Sequence, residues 1–299
     1  MTLSLIENSL ERMRRAGTTA KEASGASASA AGRNAQRAEP IALEPRCAHK
    51  RTSLDYTQLR SAGYLPDKSE ERRFADFFHR VKRPIIDRAL NSTGADDLRL
   101  ILLSSALPGD GKTFMALNLA FSMARERDIS VLLVDGDLPR GQIGRVLGLQ
   151  GEPGLLDVLQ DSRLDVESLI FDTDIPNLQV LPAGAPSEGA AEWIASARMR
   201  EIVARLNSRS PRRVILFDSP PLLVSSESRV LVQIPGQVVL VTRAGHTPRK
   251  AIVDAIACVD KKKLRGLILN DARTMKISEH GYYDYPGSDG SRDAASKSA

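Results

Sequence analysis

"SSALPGDGKTFMALNLAFSMA", residues 104–124, joins an apolar run that ends near Ser104 to a segment whose apolar residues recur at helical spacing. Between them lies Ala106-Leu107-Pro108-Gly109-Asp110-Gly111-Lys112-Thr113. It matches the phosphate-binding loop pattern except that Ala106 stands where the first glycine is usual. Gly109 and Gly111 let backbone N–H groups turn toward phosphate oxygens with no Cβ in the way. A helix that begins near Lys112 points the positive end of its dipole at the anion. Lys112 has the reach for β- and γ-phosphates, and the Thr113 hydroxyl is a ligand type for Mg²⁺. The motif needs a strand before it and a helix after it, and both are present. Pro108, Gly109, Asp110, Gly111, Lys112 and Thr113 are therefore the expected nucleotide-binding residues.

Outward from this loop the chain alternates short apolar runs with amphipathic stretches. The expected strands are Arg99–Ser104, Val131–Val134, Leu178–Leu181, Val214–Phe217, Val238–Val241 and Leu267–Leu269. These runs are apolar on both faces, as strands covered by helices on each side must be. Alternation over about 180 residues predicts one α/β domain with a mainly parallel sheet flanked by helices. Ahead of the first strand, "SEERRFADFFHRVKRPII" predicts a helix capped by Ser69, with Phe74, Phe77, Phe78 and Val81 on one face, running until Pro84.

Acidic residues close two of the later strands. "VLLVDGDLPRG" brings Asp135 and Asp137 to the carboxyl end of a strand, the edge where open α/β sheets bind ligands. Alternate residues of an extended segment project to one side, so both carboxylates can face the phosphates. "RVILFDSPPLL" adds Asp218 after four apolar residues, as expected of a carboxylate that holds the hydration shell of Mg²⁺. Pro220 and Pro221 force an extended exit from that strand.

The ends of the chain differ in kind. Residues 1–51 carry nine Lys/Arg against five Asp/Glu, so the net charge of +5 lies almost wholly in this arm. A basic arm on a near-neutral body argues against a dedicated nucleic-acid-binding domain and suits loose attraction to an anionic surface. Leu3, Ile6, Leu10 and Met13 form a short amphipathic stripe, and the Ala/Ser-rich residues 16–50 are expected to be a disordered linker. Structure is expected from residue 54. Cys47 and Cys258 make neither a disulfide framework nor zinc spacing. No apolar run approaches the ~18 residues of a spanning helix, which predicts a cytoplasmic protein. The division is an arm (1–53), a nucleotide-binding domain (54–271) and a flexible tail (272–299). In that tail stand Tyr282, Tyr283 and Tyr285, three of only five tyrosines, where no core can use them.

Taken with their order and spacing, "SSALPGDGKT", "VLLVDGDLPRG", "LPAGAPSEGAAEWIASARM", "VILFDSPPLL", "VVLVTRAGHTP" and "LRGLILND" resemble the bacterial tyrosine autokinases of exopolysaccharide and capsule operons. The resemblance is strongest to the soluble form found in exosortase-associated loci, and it covers about residues 54–287 with the opening "LSLIENSLERMRR". It implies a P-loop kinase that uses ATP and Mg²⁺ and phosphorylates the terminal tyrosine cluster of a neighbouring subunit. Tyr282, Tyr283 and Tyr285 become phosphoacceptors, and Asn270 is placed near the adenine. On this reading Lys112 offsets charge on the γ-phosphate, and Asp135 accepts or orients the phenolic proton. Asp137 and Asp218, with Thr113, hold the metal and its waters. The implied partners are further copies of the chain and an inner-membrane polysaccharide chain-length (co-polymerase) protein that recruits it to the membrane.

Two motifs depart from the family pattern. At the helix used for ring assembly, Asp76, Phe77, Phe78 and His79 stand where a Glu-Glu-x-Arg-type motif is usual, which puts that contact in question. Pro139 and Gly141 replace the usual basic residue and proline after Asp137, which predicts an altered loop. Two other readings compete. One is a partition- or positioning-type ATPase, which usually has a second lysine where Leu107 stands and lacks the tyrosine cluster. The other is a nucleotide-binding scaffold without catalysis.

Overall fold

Side-chain alternation along the central strands divides the core in two. The computed structural model of the chain describes residues 49–91 and 98–272. Its strands are β1 (Lys50–Arg51), β2 (Leu100–Ser105), β3 (Ser130–Asp135), β4 (Phe171–Asp172), β5 (Leu178–Leu181), β6 (Arg213–Asp218), β7 (Gln237–Arg243) and β8 (Leu264–Asn270). They form one eight-stranded sheet in the order β1-β4-β5-β3-β6-β2-β7-β8. Every pairing is parallel except β4 with β5. Ile101, Leu103, Val131 and Leu133 enter one core, while Leu100, Leu102, Leu132 and Val134 enter the other. Period-two alternation on strands buried on both sides produces this division, and it bears out the mainly parallel α/β fold.

All six expected strands are present, most of them longer by a residue or more. The two that were missed, β1 and β4, are two residues long and lie at one edge, too short for any pattern to show. Lys50 and Arg51 pair with Phe171 and Asp172, so ordered pairing starts within the segment assigned to the arm rather than at residue 54. The amphipathic stripe near the start of the chain, most of the linker and the tail tyrosines lie outside the described residues.

One expectation about coverage is corrected at the opposite edge. Leu267 and Leu269 of β8 are 48 % and 50 % exposed, so this strand is not covered on both faces. An edge strand has a neighbour on one side alone, and the flanking helices reach it incompletely.

The helix before β2 also differs from its reading. It spans Glu71–Leu90, is preceded by Glu70 with no side-chain cap at Ser69, and passes through Pro84. Pro84 and Arg80 are both exposed, so the hydrogen bond that the proline removes lies on the solvent side of the helix. Beyond the proline, Ile85, Ile86 and Ala89 are buried in the core and hold the last turns in place. Phe78 is a core residue, and Phe74 meets Phe114 edge-on with centroids 5.9 Å apart. Buried Lys82 donates to the Ser122 carbonyl at 2.7 Å and pairs with Glu126 at 2.9 Å. That ties this helix to the end of the helix Lys112–Ala124, whose other end forms the phosphate loop. Among the described residues no helix is long and apolar enough to cross a membrane.

Candidate active site

The phosphate loop is held by contacts that arrive from the β7–β8 side of β2. Gly109 and Gly111 have φ of +84° and +92°, a region in which glycine alone is at ease. A Cβ on Gly111 would lie 2.1 Å from Asn270 Nδ2. Asp110 is fully buried and turns its carboxylate inward. One oxygen accepts from Leu107 N–H at 3.1 Å and the other from the Thr247 hydroxyl at 2.6 Å. That hydroxyl accepts in turn from Arg243 N–H at 2.8 Å, so the turn after β7 braces the loop. The Asp110 carbonyl accepts from Asn270 Nδ2 at 3.0 Å. Asn270 Oδ1 is taken by Asp271 N–H, so the side chain assigned to the adenine also serves as a strut for the loop. Ala106, which replaces the usual glycine, is buried in the core at the start of the loop.

Three strand ends bring the remaining groups together. Thr113 donates its hydroxyl to Asp218 Oδ2 at 2.7 Å, across 105 residues of sequence. Asp135 and Asp218 are register partners on adjacent parallel strands, so their carboxylates start from the same level of the sheet. Gly136 donates its N–H to the Asp218 carbonyl at 2.8 Å, and a Cβ there would lie 2.7 Å from the same oxygen. The glycine of Asp-Gly-Asp thus lets the chain close on β6. Asp135 Oδ2 accepts from Gly144 N–H at 3.0 Å. Asp137 and Lys112 are also buried. Gly141 has φ of +54°, an angle closed to the proline that the resemblance places there.

Two buried oxygens here have no hydrogen-bond partner, Asp135 Oδ1 and Asp218 Oδ1. Buried carboxylate oxygens without donors are costly unless a cation or its water satisfies them. Among the described residues no three His, Cys, Asp or Glu side chains approach closely enough to hold a metal by themselves. The two unpartnered oxygens fit Mg²⁺, which binds through one or two carboxylates and takes its other ligands from phosphates and water.

Burial pushes the Asp135 carboxyl up to about 8, with the charge of Asp218 adding to the effect. Burial also raises Asp218 to about 7, against the pull of Lys112 and the Thr113 hydrogen bond. Asp137 moves up for the same reason, opposed by Lys112 and Arg140. The folded chain therefore binds these protons more tightly than the unfolded chain, in which an aspartate titrates near ~4. The stability they contribute is fully present below that value and is lost as pH rises through 7 to 8. The ligand-free protein should show a urea midpoint that falls between about pH 5 and pH 8.5, and Asp218→Asn should flatten part of the decline. A midpoint that rises over this window would contradict the electrostatics described.

The tyrosine assignments, Tyr282, Tyr283 and Tyr285, lie outside the described residues. Thr247, Arg243, Gly136 and Gly144 were missed by the sequence reading. For Thr247, Arg243 and Gly136 the one signal is that "TRAGHTP" and the Asp-Gly-Asp turn stand at strand ends, while Gly144, inside the helix Gln142–Val146, carries none.

No family model matches the chain. It is 30% identical over 188 residues to the tyrosine-protein kinase YwqD of Bacillus subtilis (strain 168), a match that covers 62% of this chain and 78% of YwqD. The chain belongs to the bacterial tyrosine-protein kinase family. This kinase is also 28% identical over 190 residues to the tyrosine-protein kinase wzc of Salmonella typhimurium, but covers only 26% of that longer protein. Among solved structures it superposes on the VpsO kinase domain with a TM-score of 0.57 at 28% identity, over 68% of this chain and 98% of that one. The kinase domain of Escherichia coli ETK has the same fold, with a TM-score of 0.59 at 24% identity, over 70% and 80% of the two chains.

Proposed function

We propose that this kinase transfers the γ-phosphoryl group of ATP to Tyr282, Tyr283 and Tyr285 on a neighbouring copy of itself. Regulation of exopolysaccharide synthesis, as in the exosortase-associated type, is the setting proposed for it. The observation that carries the reading is the convergence of Thr113, Asp218 and Asp135 at the mouth of a braced phosphate loop. Two of their buried oxygens there are unpartnered.

Phosphoryl transfer asks a protein for position and charge neutralisation more than for covalent chemistry. When bound, Mg²⁺ would supply charge neutralisation at the phosphates, with Thr113, Asp137 and Asp218 holding it and its waters. Loop N–H groups and the start of the helix Lys112–Ala124 bind the phosphate oxygens. Lys112 places its cation against the γ-phosphate. Asp135 is the proposed proton acceptor for the phenol, directly or through one water. Burial strengthens it as a base, and Gly144 N–H holds its other oxygen in place. The Asn270 brace keeps the loop in shape beside the proposed adenine position. The proposed membrane partner is the chain-length protein of the inner membrane, which would recruit the kinase from the cytoplasm.

Incubation with Mg-ATP should give phosphotyrosine that disappears when Tyr282, Tyr283 and Tyr285 are all changed to Phe. A catalytically dead copy that carries intact tyrosines should accept phosphate from the Phe variant, because transfer passes between subunits. ATP hydrolysis with no phosphotyrosine, even with a membrane partner's cytoplasmic segment supplied, would replace this reading with the partition-type ATPase. Binding without turnover would leave the scaffold.

A further inference from the structure

The uncovered edge of the sheet lies beside the point where the tail begins. β8 is the last strand in the order, and among the described residues nothing pairs with its outer side. Leu240 and Thr242 of β7 are the register partners of Leu267 and Leu269, which places the two leucines on one face. Both are half exposed, whereas Ile268 between them is buried in the opposite core. Ala244 N–H donates to the Asn270 carbonyl, so the backbone groups of Asn270 and Ile268 face β7 and those of Leu267 and Leu269 face outward. An open edge with apolar side chains is a template for another strand.

The chain itself supplies a matching segment. At the end of β8 the backbone leaves the extended region, with Asp271 at φ +55° and its carboxylate held by Arg243 at 3.0 Å. Residues 273–299 continue from there, beginning Arg273-Thr274-Met275-Lys276-Ile277-Ser278. Met275 and Ile277 alternate with polar residues, the pattern of a strand with one apolar face.

We propose that residues 275–278 add to the outer edge of β8 as an antiparallel strand, with Met275 across from Leu269 and Ile277 across from Leu267. This register leaves residues 270–274 as the connection, within the two to five residues usual for a hairpin. It also pairs the outward backbone groups of Leu267 and Leu269 with those of Ile277 and Met275. A strand in this direction leads away from the nucleotide edge. Tyr282, Tyr283 and Tyr285 would follow toward the far end of the sheet, out of reach of the chain's own phosphate loop. On the proposed function, docking withholds the acceptor, and release presents it to another copy.

Amide hydrogen exchange on the full chain without ATP tests the docking independently of any kinase activity. The amides of Leu267, Leu269, Met275 and Ile277 should exchange about tenfold more slowly than in the double variant Met275→Asp/Ile277→Asp, as expected if the open form is near a tenth of the population. Leu267→Asp/Leu269→Asp should release the tail amides in the same way. The slowing should be the same at every protein concentration. Tail amides that exchange at the free-peptide rate overturn the proposal, as does protection that survives the Asp substitutions. Protection that fades on dilution overturns it too and assigns the edge to a second copy.

Discussion

Lys112→Ala should leave the chain folded and lower phosphotyrosine formation by about two to three orders of magnitude, the usual cost of one preorganised charge-stabilising donor. Lys112 is the first residue of the helix after the loop, and its side chain is buried beside the strand ends. It holds down the carboxyls of Asp137 and Asp218, so it is already part of the charge balance before nucleotide binds. Negative charge builds on the leaving oxygen between the β- and γ-phosphates as its bond to the transferring group loosens, and Lys112 has the reach for both phosphates, so the loss should fall on kcat more than on KM. With the cation gone, Asp218 and Asp137 should hold their protons more tightly, and residual activity should need a higher pH. Steady-state phosphotyrosine and ADP release across a pH series, with a urea midpoint for each variant, checks all three points. A variant within a few-fold of the parent would remove Lys112 from the chemistry.

Glu167→Ala should destabilise the protein by about 3–5 kcal/mol, because it strands a buried guanidinium. Arg213 and Glu167 are both buried and are joined by two contacts, at 2.8 and 3.3 Å. Arg213 also donates to Gln179 Oε1 at 3.1 Å and to the Leu206 carbonyl at 3.4 Å. This network joins β6, β5 and the helix Ala197–Ser208 at the amino end of the sheet, the end away from Asp218. The effect should therefore appear in the denaturation midpoint, with the urea dependence of stability unchanged and the kcat of folded enzyme intact. Replacing both partners with apolar residues, Glu167→Leu with Arg213→Met, should recover most of the loss, since the cost lies in the unpaired charge. Equal loss in the single and double variants would show that the carbonyl and amide contacts of Arg213 dominate instead.

Much of the candidate site is legible in the amino-acid sequence, because phosphate loops and acidic strand ends are local patterns. Gly109, Gly111, Lys112 and Thr113 lie within one turn of chain, and their conformations follow from short-range sterics and the start of a helix. Asp135, Asp137 and Asp218 each follow an apolar strand. The central strands are legible for the same reason: runs buried on both faces have few polar residues to confuse the pattern. Pro84 shows the limit of local rules, since a helix that should end there continues because Ile85, Ile86 and Ala89 are buried beyond it.

The sequence by itself determined the layered α/β architecture, the phosphate loop and the acidic groups that surround it, since each is written in contiguous residues. Only the tertiary structure decided which groups meet. The Thr113–Asp218 hydrogen bond, the Thr247 and Asn270 struts on Asp110, and the buried Arg213–Glu167 pair all join segments far apart in the chain. So does the placement of β8 at an open edge, with Leu267 and Leu269 left half exposed. Strand order depends on how helices pack across both faces at once, and no local pattern carries that information.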